Sequence, residues 1–175
     1  MNKNILILSA GRRVELLEIF KQSLIDKRNI KVFTADSNPK LSPACRINNH
    51  TFKLPKCSEK RYIKELLSRS LKNNIRVIIP TIDDELSILA ANKEKFQKYK
   101  IEIIISDLKF IEKTNDKIQT KFIFDDLNIK YPKIYNVNNL KFPCINKPIK
   151  GSSSKDIKVL KSFSDLTINI LKNKK

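Results

Sequence analysis

Glycine is almost missing from this chain, with 2 residues among 175 where average usage of about 7% would give several times more. So few glycines exclude the G-x-G-x-x-G dinucleotide fingerprint, and the phosphate loop G-x-x-x-x-G-K-[ST] is equally absent. Cys45, Cys57 and Cys144 form an odd set with no C-x-x-C spacing, which argues against a disulfide framework or a zinc site. The single histidine, His50, has no neighbour at ligand spacing and reads as inert. No apolar run approaches the roughly 18–20 residues of a membrane-spanning helix. The start, Met1-Asn2-Lys3-Asn4-Ile5, runs straight into a short apolar segment without a signal-peptide layout. A cytoplasmic protein without a membrane partner is expected.

Negative charge is also scarce. Lys and Arg number 36 against 18 Asp and Glu, a formal charge of +18. Such an excess suits nucleic acid or an acidic membrane. However, 29 of the basic residues are Lys and only seven are Arg. With 17 Asn and 26 Ile beside those lysines, the bias is what A/T-rich codons produce without selection for binding. The lysines are spread along the chain, and aromatics do not interleave with them as a stacking platform requires. Nucleic-acid binding is therefore a minor reading.

What is present is an alternation of short apolar runs and helix stripes. Ile5–Leu8, Ile30–Ala35, Thr51–Leu54, Arg76–Ile79 and Ile101–Ser106 read as strands, most of them without the polar alternation of a half-exposed sheet. Between them lie Arg12–Asp26 with Val14, Leu17, Phe20 and Leu24 in a stripe, and Glu59–Asn73 with Ile63, Leu66, Leu67 and Leu71 on one face and Ser58 as N-cap. Asp83–Phe96 follows as a third helix. Strand–helix repetition predicts an α/β fold with an open, mostly parallel, Rossmann-like sheet. After Ser106 the rhythm changes. Helices are expected at Asp107–Lys113 and at Asn115–Leu127, the latter with Ile118, Phe122, Ile123 and Leu127 inward. Extended pieces follow at Lys133–Tyr135, Pro143–Lys147 and Ile157–Leu160, then a last helix at Asp165–Leu171. This divides the chain into residues 1–106, an α/β domain, and 107–175, an incomplete α+β unit.

The two glycines sit where strands end. At Ser9-Ala10-Gly11-Arg12-Arg13 a strand turns into a helix whose free N–H groups suit an anion, with Arg12 or Arg13 beside it; a tight turn with solvated arginines fits as well. At Lys147-Pro148-Ile149-Lys150-Gly151-Ser152-Ser153-Ser154-Lys155 a strand lysine precedes a small-residue loop that can bring N–H and hydroxyl groups to phosphate oxygens; a surface hairpin loop is the alternative. Asp36 is either a turn-forming Asx residue or a ligand contact. Asp84 and Glu85 read as helix-start acids favoured by capping and the dipole. Thr81 and Asp83 stay open, because open α/β sheets bind ligands at the carboxyl ends of their strands.

The order of these pieces resembles the ATP-grasp superfamily, in particular its carbamoyl-phosphate-synthase large-chain-like ligases. The matching stretches are Ile5–Arg13, Ala35-Asp36-Ser37-Asn38-Pro39, Ile79–Leu86, Asn115-Asp116-Lys117, and Pro143–Pro148 leading to Gly151-Ser152-Ser153-Ser154. Such enzymes use ATP to phosphorylate a carboxylate, which an amine or another nucleophile then attacks. By that likeness residues 1–106 form a pre-ATP-grasp domain that helps bind the acceptor or substrate; Gly11, Arg12, Arg13, Asp36, Thr81 and Asp83, at the strand ends read above, are the candidate contacts. Residues 107–175 open the ATP-grasp domain, with Lys117 and Lys147 reaching the ATP phosphates. Gly151, Ser152, Ser153 and Ser154 correspond to the mobile flap over the triphosphate.

Two departures from the pattern stand out. The flap's usual next glycine is replaced by Asp156, which adds a repelling carboxylate and stiffens the loop. After Gly151 the only acids are Asp156 and Asp165, so no cluster can hold Mg²⁺; the metal is expected only with a C-terminal half that this sequence lacks. The resemblance thus implies the N-terminal part of an ATP-dependent carboxylate ligase. It is expected not to be catalytically complete alone, and its expected partners are ATP, an unidentified carboxylate, and a complementary half or a second copy. A non-enzymatic module that binds a small anion or regulates a partner is the alternative.

Overall fold

Five short runs pair side by side in a computed structural model that describes residues 3–27, 29–151 and 156–166. The strands are β1 (Asn4–Ile7), β2 (Val32–Asp36), β3 (Thr51–Lys53), β4 (Ile75–Ile79) and β5 (Glu102–Ile103). All pair in parallel, in the order β3-β2-β1-β4-β5. Leu6 at the centre faces Phe33 on one side and Ile78 on the other. Side chains alternate across a strand, so β1 feeds two cores. Leu6 and Leu8 join Phe33, Ile78, Leu66, Leu89 and Phe96 on one face. Ile7 and Ala10 join Val32, Leu17, Ala44 and Cys45 on the other. Burial on both faces is what the uninterrupted apolar runs require.

The helices α1 (Val14–Ser23), α2 (Pro43–Arg46), α3 (Tyr62–Lys72), α4 (Leu86–Ala91) and α5 (Lys93–Gln97) connect the strands. The expected single helix over Asp83–Phe96 is instead a 3₁₀ turn, Asp83–Glu85, followed by α4 and α5. Asn92 divides the two helices, its side-chain amide donating to the carbonyl of Ile88 at 2.8 Å, the local competition that makes asparagine a helix breaker. β5 is also shorter than Ile101–Ser106.

Helix α3 lacks the expected Ser58 cap. It starts at Tyr62 after Arg61, with no side-chain cap, because residues 56–59 close their own turn: Glu59 Oε1 accepts from the Lys56 amide at 2.9 Å, and the Glu59 amide donates to the Lys56 carbonyl at 2.9 Å. Tyr62, Leu66 and Ser70 are buried, and the expected Ile63 and Leu67 pack half-buried against the same core, while the expected Leu71 is 39% exposed. Ser70 Oγ is buried without a hydrogen-bond partner. Ser70→Ala should therefore stabilise the fold by about 1 kcal/mol, seen as a higher urea midpoint at unchanged slope.

Contacts divide the chain into compact units at residues 1–111 and 112–175, with α6 (Leu108–Thr114) across the division. The second unit holds α7 (Lys117–Asp126) and an antiparallel pair, β6 (Cys144–Asn146) with β7 (Lys158–Leu160). Asp116 caps α7, its Oδ1 accepting from the Ile118 and Gln119 amides at 2.9 and 3.1 Å. The expected inward face of α7 is mostly uncovered: Ile118, Phe122 and Leu127 are exposed, and Ile123 is half-buried. Lys133–Tyr135 forms no strand, and Phe163–Asp165 is a 3₁₀ turn; the rest of the expected last helix lies outside the described residues.

Candidate functional site

Reversal of the winding direction between β1 and β4 opens the crevice in which sheets of this kind bind ligands. The loops that meet there are Ser9–Arg13 after β1 and Thr81–Glu85 after β4. Ser9 and Gly11 adopt φ of 46° and 43°, the left-handed region that costs glycine little. The Gly11 amide donates to Asp36 Oδ2 at 3.1 Å, and Asp36 Oδ1 accepts from the Asn38 amide at 2.9 Å. Asp36 is thus an Asx turn that also anchors the β1 loop. The Gly11 carbonyl accepts from Ser42 Oγ and the Ala44 amide, each at 3.1 Å.

Thr81 and Arg13 bind the two loops together. Thr81 Oγ1 lies 2.9 Å from the carbonyls of both Leu8 and Ser9, and Arg13 Nη2 donates to the Thr81 carbonyl at 3.2 Å. Arg12 and Asp83 are exposed.

Beneath these loops lies a residue that the sequence pattern assigns to the solvated start of a helix. Glu85 is fully buried. Its Oε2 accepts from Ser9 Oγ and Tyr62 Oη, both at 2.9 Å, and its Oε1 accepts from the Thr81 amide at 3.2 Å. Burial raises the carboxyl's pKa and the three hydrogen bonds oppose that rise. The Tyr62 hydroxyl is pushed up as well, first by burial and then by the neighbouring carboxylate. Glu85 thereby locks the β1 loop, the β4 loop and α3 to one point. Glu85 and Tyr62 are the residues that sequence reasoning missed. The only signal for them was a run of three acids, one of which has to turn inward when the run forms a 3₁₀ turn.

In the second unit, Lys117 opens α7. Its ammonium donates to the carbonyls of Ile149 and Gly151 at 3.3 and 3.2 Å, and its amide donates to Ile149 at 3.1 Å. The start of this helix is thus tied to the start of the Gly151 loop. Lys147 follows β6 directly and is exposed. Gly151 has φ of 133° with open space around its Cβ position, a conformation close to exclusive to glycine. Ser152, Ser153 and Ser154 lie outside the described residues. Asp156, where the loop returns, sits at φ 58°: a backbone suited to glycine carries an aspartate.

The acids of this unit do not fit a divalent cation. Asp165 Oδ2 already accepts from the Lys161 and Ser162 amides at 2.6 and 3.1 Å. Among the described residues no three His, Cys, Asp or Glu side chains gather as a metal site. No helix among them is long and apolar enough to cross a membrane.

Comparison with known proteins bears on this geometry. The family model described as PylC-like, N-terminal domain, matches residues 5–104. Carbamoyl-phosphate synthase of Methanobrevibacter smithii is 26% identical in an alignment of 108 residues that covers 55% of this chain and 29% of that protein; the match spans less than a third of that relative's length. Among solved structures, the L-amino acid ligase of Bacillus licheniformis superposes with a TM-score of 0.63 at 14% identity, over 98% of this chain and 42% of that one. The biotin carboxylase domain of the Hydrogenobacter thermophilus 2-oxoglutarate carboxylase, solved with MgADP, ADP and bicarbonate, gives a TM-score of 0.63 at 13% identity, over 99% of this chain and 40% of that one. The five-stranded parallel sheet is the fold that these ligases and carboxylases share. With the family model covering more than half of its residues, the chain belongs to the PylC-like N-terminal domain family.

Proposed function

We propose that this chain is the N-terminal part of an ATP-dependent ligase that activates a carboxylate for attack by an amine or another nucleophile. The observation that carries the reading is the tie between Lys117 and the carbonyls of Ile149 and Gly151. It brings a helix-start lysine to the base of a glycine loop that directly follows Lys147. An ammonium has three donors, so Lys117 keeps one for a phosphate oxygen while it fixes the loop. Family membership and the likeness to carbamoyl-phosphate synthase support the reaction class. In this reading Lys117 and Lys147 neutralise phosphate charge, where most of the catalytic help in phosphoryl transfer arises. The loop from Gly151 through Ser154 covers the phosphates. The loops at Gly11, Arg12, Arg13, Asp36, Thr81 and Asp83 form the substrate side, with Glu85 holding them in place. Because the acids present do not fit Mg²⁺, no step is assigned to a metal on this chain. Complementary residues are to come from a second segment or another copy.

Asp156 supplies the test. Its carboxylate repels polyphosphate, and its left-handed backbone disfavours any side chain. Asp156→Gly is expected to raise the affinity for ADP several-fold, roughly 1 kcal/mol. Lys117→Met should lower it about tenfold. Calorimetric titration of the full chain with ADP reads both; equal affinity in all three proteins would refute the phosphate cradle.

A further inference from the structure

A second concave surface lies away from the β1–β4 crevice, at the carboxyl ends of β2 and β3. It encloses about 570 Å³, within the roughly 300–1,000 Å³ of ordinary small-molecule sites. Lys53 at the end of β3, Lys56 from the loop after it, and Arg61 and Arg69 from the α3 side bring four cations to it, against Glu59 and Glu65.

Two features separate this cleft from the general basicity of the chain. The first is arginine: lysine is abundant everywhere here, but arginine is scarce, and two arginines meet in this one cleft. The second is that Arg61 is held in place. Its Nε donates to Glu59 Oε2 at 3.0 Å, while Glu59 Oε1 accepts from the Lys56 amide at 2.9 Å. Glu59 thus closes the turn and aligns the guanidinium, leaving its outer N–H edge for a planar or tetrahedral oxyanion. The Glu59 carboxyl is held below its usual range, first by the Lys56 amide, with Arg61 adding to it.

Four cations against two carboxylates leave a surplus of two positive charges. Ser37 and Asn38 also line the cleft, with neutral hydroxyl and amide groups suited to hydroxyls on the ligand body. We infer that this cleft binds a small organic dianion, a phosphate monoester or a dicarboxylate, with Lys53, Lys56, Arg61 and Arg69 as its anion contacts and Glu59 positioning Arg61. The site is independent of the phosphate cradle around Lys117.

The test is an amide NMR titration of the full chain at near-physiological ionic strength, with glycerol phosphate in one arm and succinate in the other. Saturable shifts centred on Ser37, Asn38, Lys53 and Lys56 are expected in at least one arm, and which arm responds identifies the dianion. Arg61→Gln and Arg69→Gln should each weaken binding about tenfold. Lys98→Gln removes the same charge near the β5 edge of the sheet and should leave binding within about twofold. Glu59→Gln should weaken binding although it removes a repelling charge, an outcome that simple electrostatics does not give. Shifts scattered over surface lysines, an equal loss in Lys98→Gln, or no saturable shift at the cleft in either arm would overturn the proposal. Amide dispersion in each variant confirms that the sheet is intact.

Discussion

Glu85→Leu is expected to cost roughly 3–5 kcal/mol of stability, because it strips a fully buried acceptor from three donors. The Thr81 amide and the Ser9 and Tyr62 hydroxyls all lose the group they reach. Glu85→Gln is expected to cost less than about 1 kcal/mol, since its carbonyl can serve Thr81 and its amide can donate to two hydroxyls that simply rotate. The contrast between a similar-sized apolar side chain and the amide separates a hydrogen-bonded lock from simple packing. A pH dependence follows. Burial sets the folded carboxyl above its ordinary value of 4.5, so the folded state holds the proton more tightly than the unfolded chain does. Stability from this group is fully present below that ordinary value and is lost as pH rises through the raised one. Glu85→Gln lacks this slope, so the variant should gain on the wild-type protein as pH rises. Urea midpoints across that range measure it, and an opposite slope would mean that the three donors outweigh burial.

Phe96→Ala is the second large effect, at about 3–5 kcal/mol. Phe96 is the largest fully buried side chain among the described residues and belongs to the core on the α3 side of the sheet. It sits in α5, a helix of five residues beside a helix of six. Helices this short do not hold themselves together in water, and packing must do so. The Phe96 carbonyl also accepts from the Tyr99 and Ile101 amides at 2.9 and 3.1 Å, which turns the chain into the two-residue strand β5. Losing the ring should unfold the β5 edge before the sheet centre, seen as early amide exchange at Glu102 and Ile103 relative to Leu6 and Ile78. Uniform exchange across the sheet would contradict that order.

Why some of this was legible and some was not follows from the range of the interactions. β1 and β2 feed apolar cores on both faces, so their short apolar runs announce them without help from distant residues. The loop glycines were legible because glycine is so rare here, and both do hold positive φ. The Asn92 break, by contrast, depends on one side chain outcompeting the helix backbone. The inward Tyr62 at the start of α3 donates to Glu85, 23 residues away, and Glu85 also takes a hydrogen bond from Ser9, 76 residues away. No local pattern distinguishes Glu85 from Asp83 and Asp84, since all three suit a helix start. Left-handed turns at Asn74, Lys100, Asn128 and Asp156 were hidden for a related reason, as the residues standing there are not glycines. In the second unit the stripe of α7 was read correctly as apolar but not as exposed, because periodicity reveals a face and says nothing of what covers it.

A crystal of the chain grown with ADP addresses the functional reading most directly. The phosphates are expected within hydrogen-bond reach of the Lys117 and Lys147 ammonium groups, with the Gly151 loop folded over them. Phosphates seated in the first unit instead, with Lys147 turned away from the loop, would contradict the assignment of this chain to the nucleotide side of a ligase.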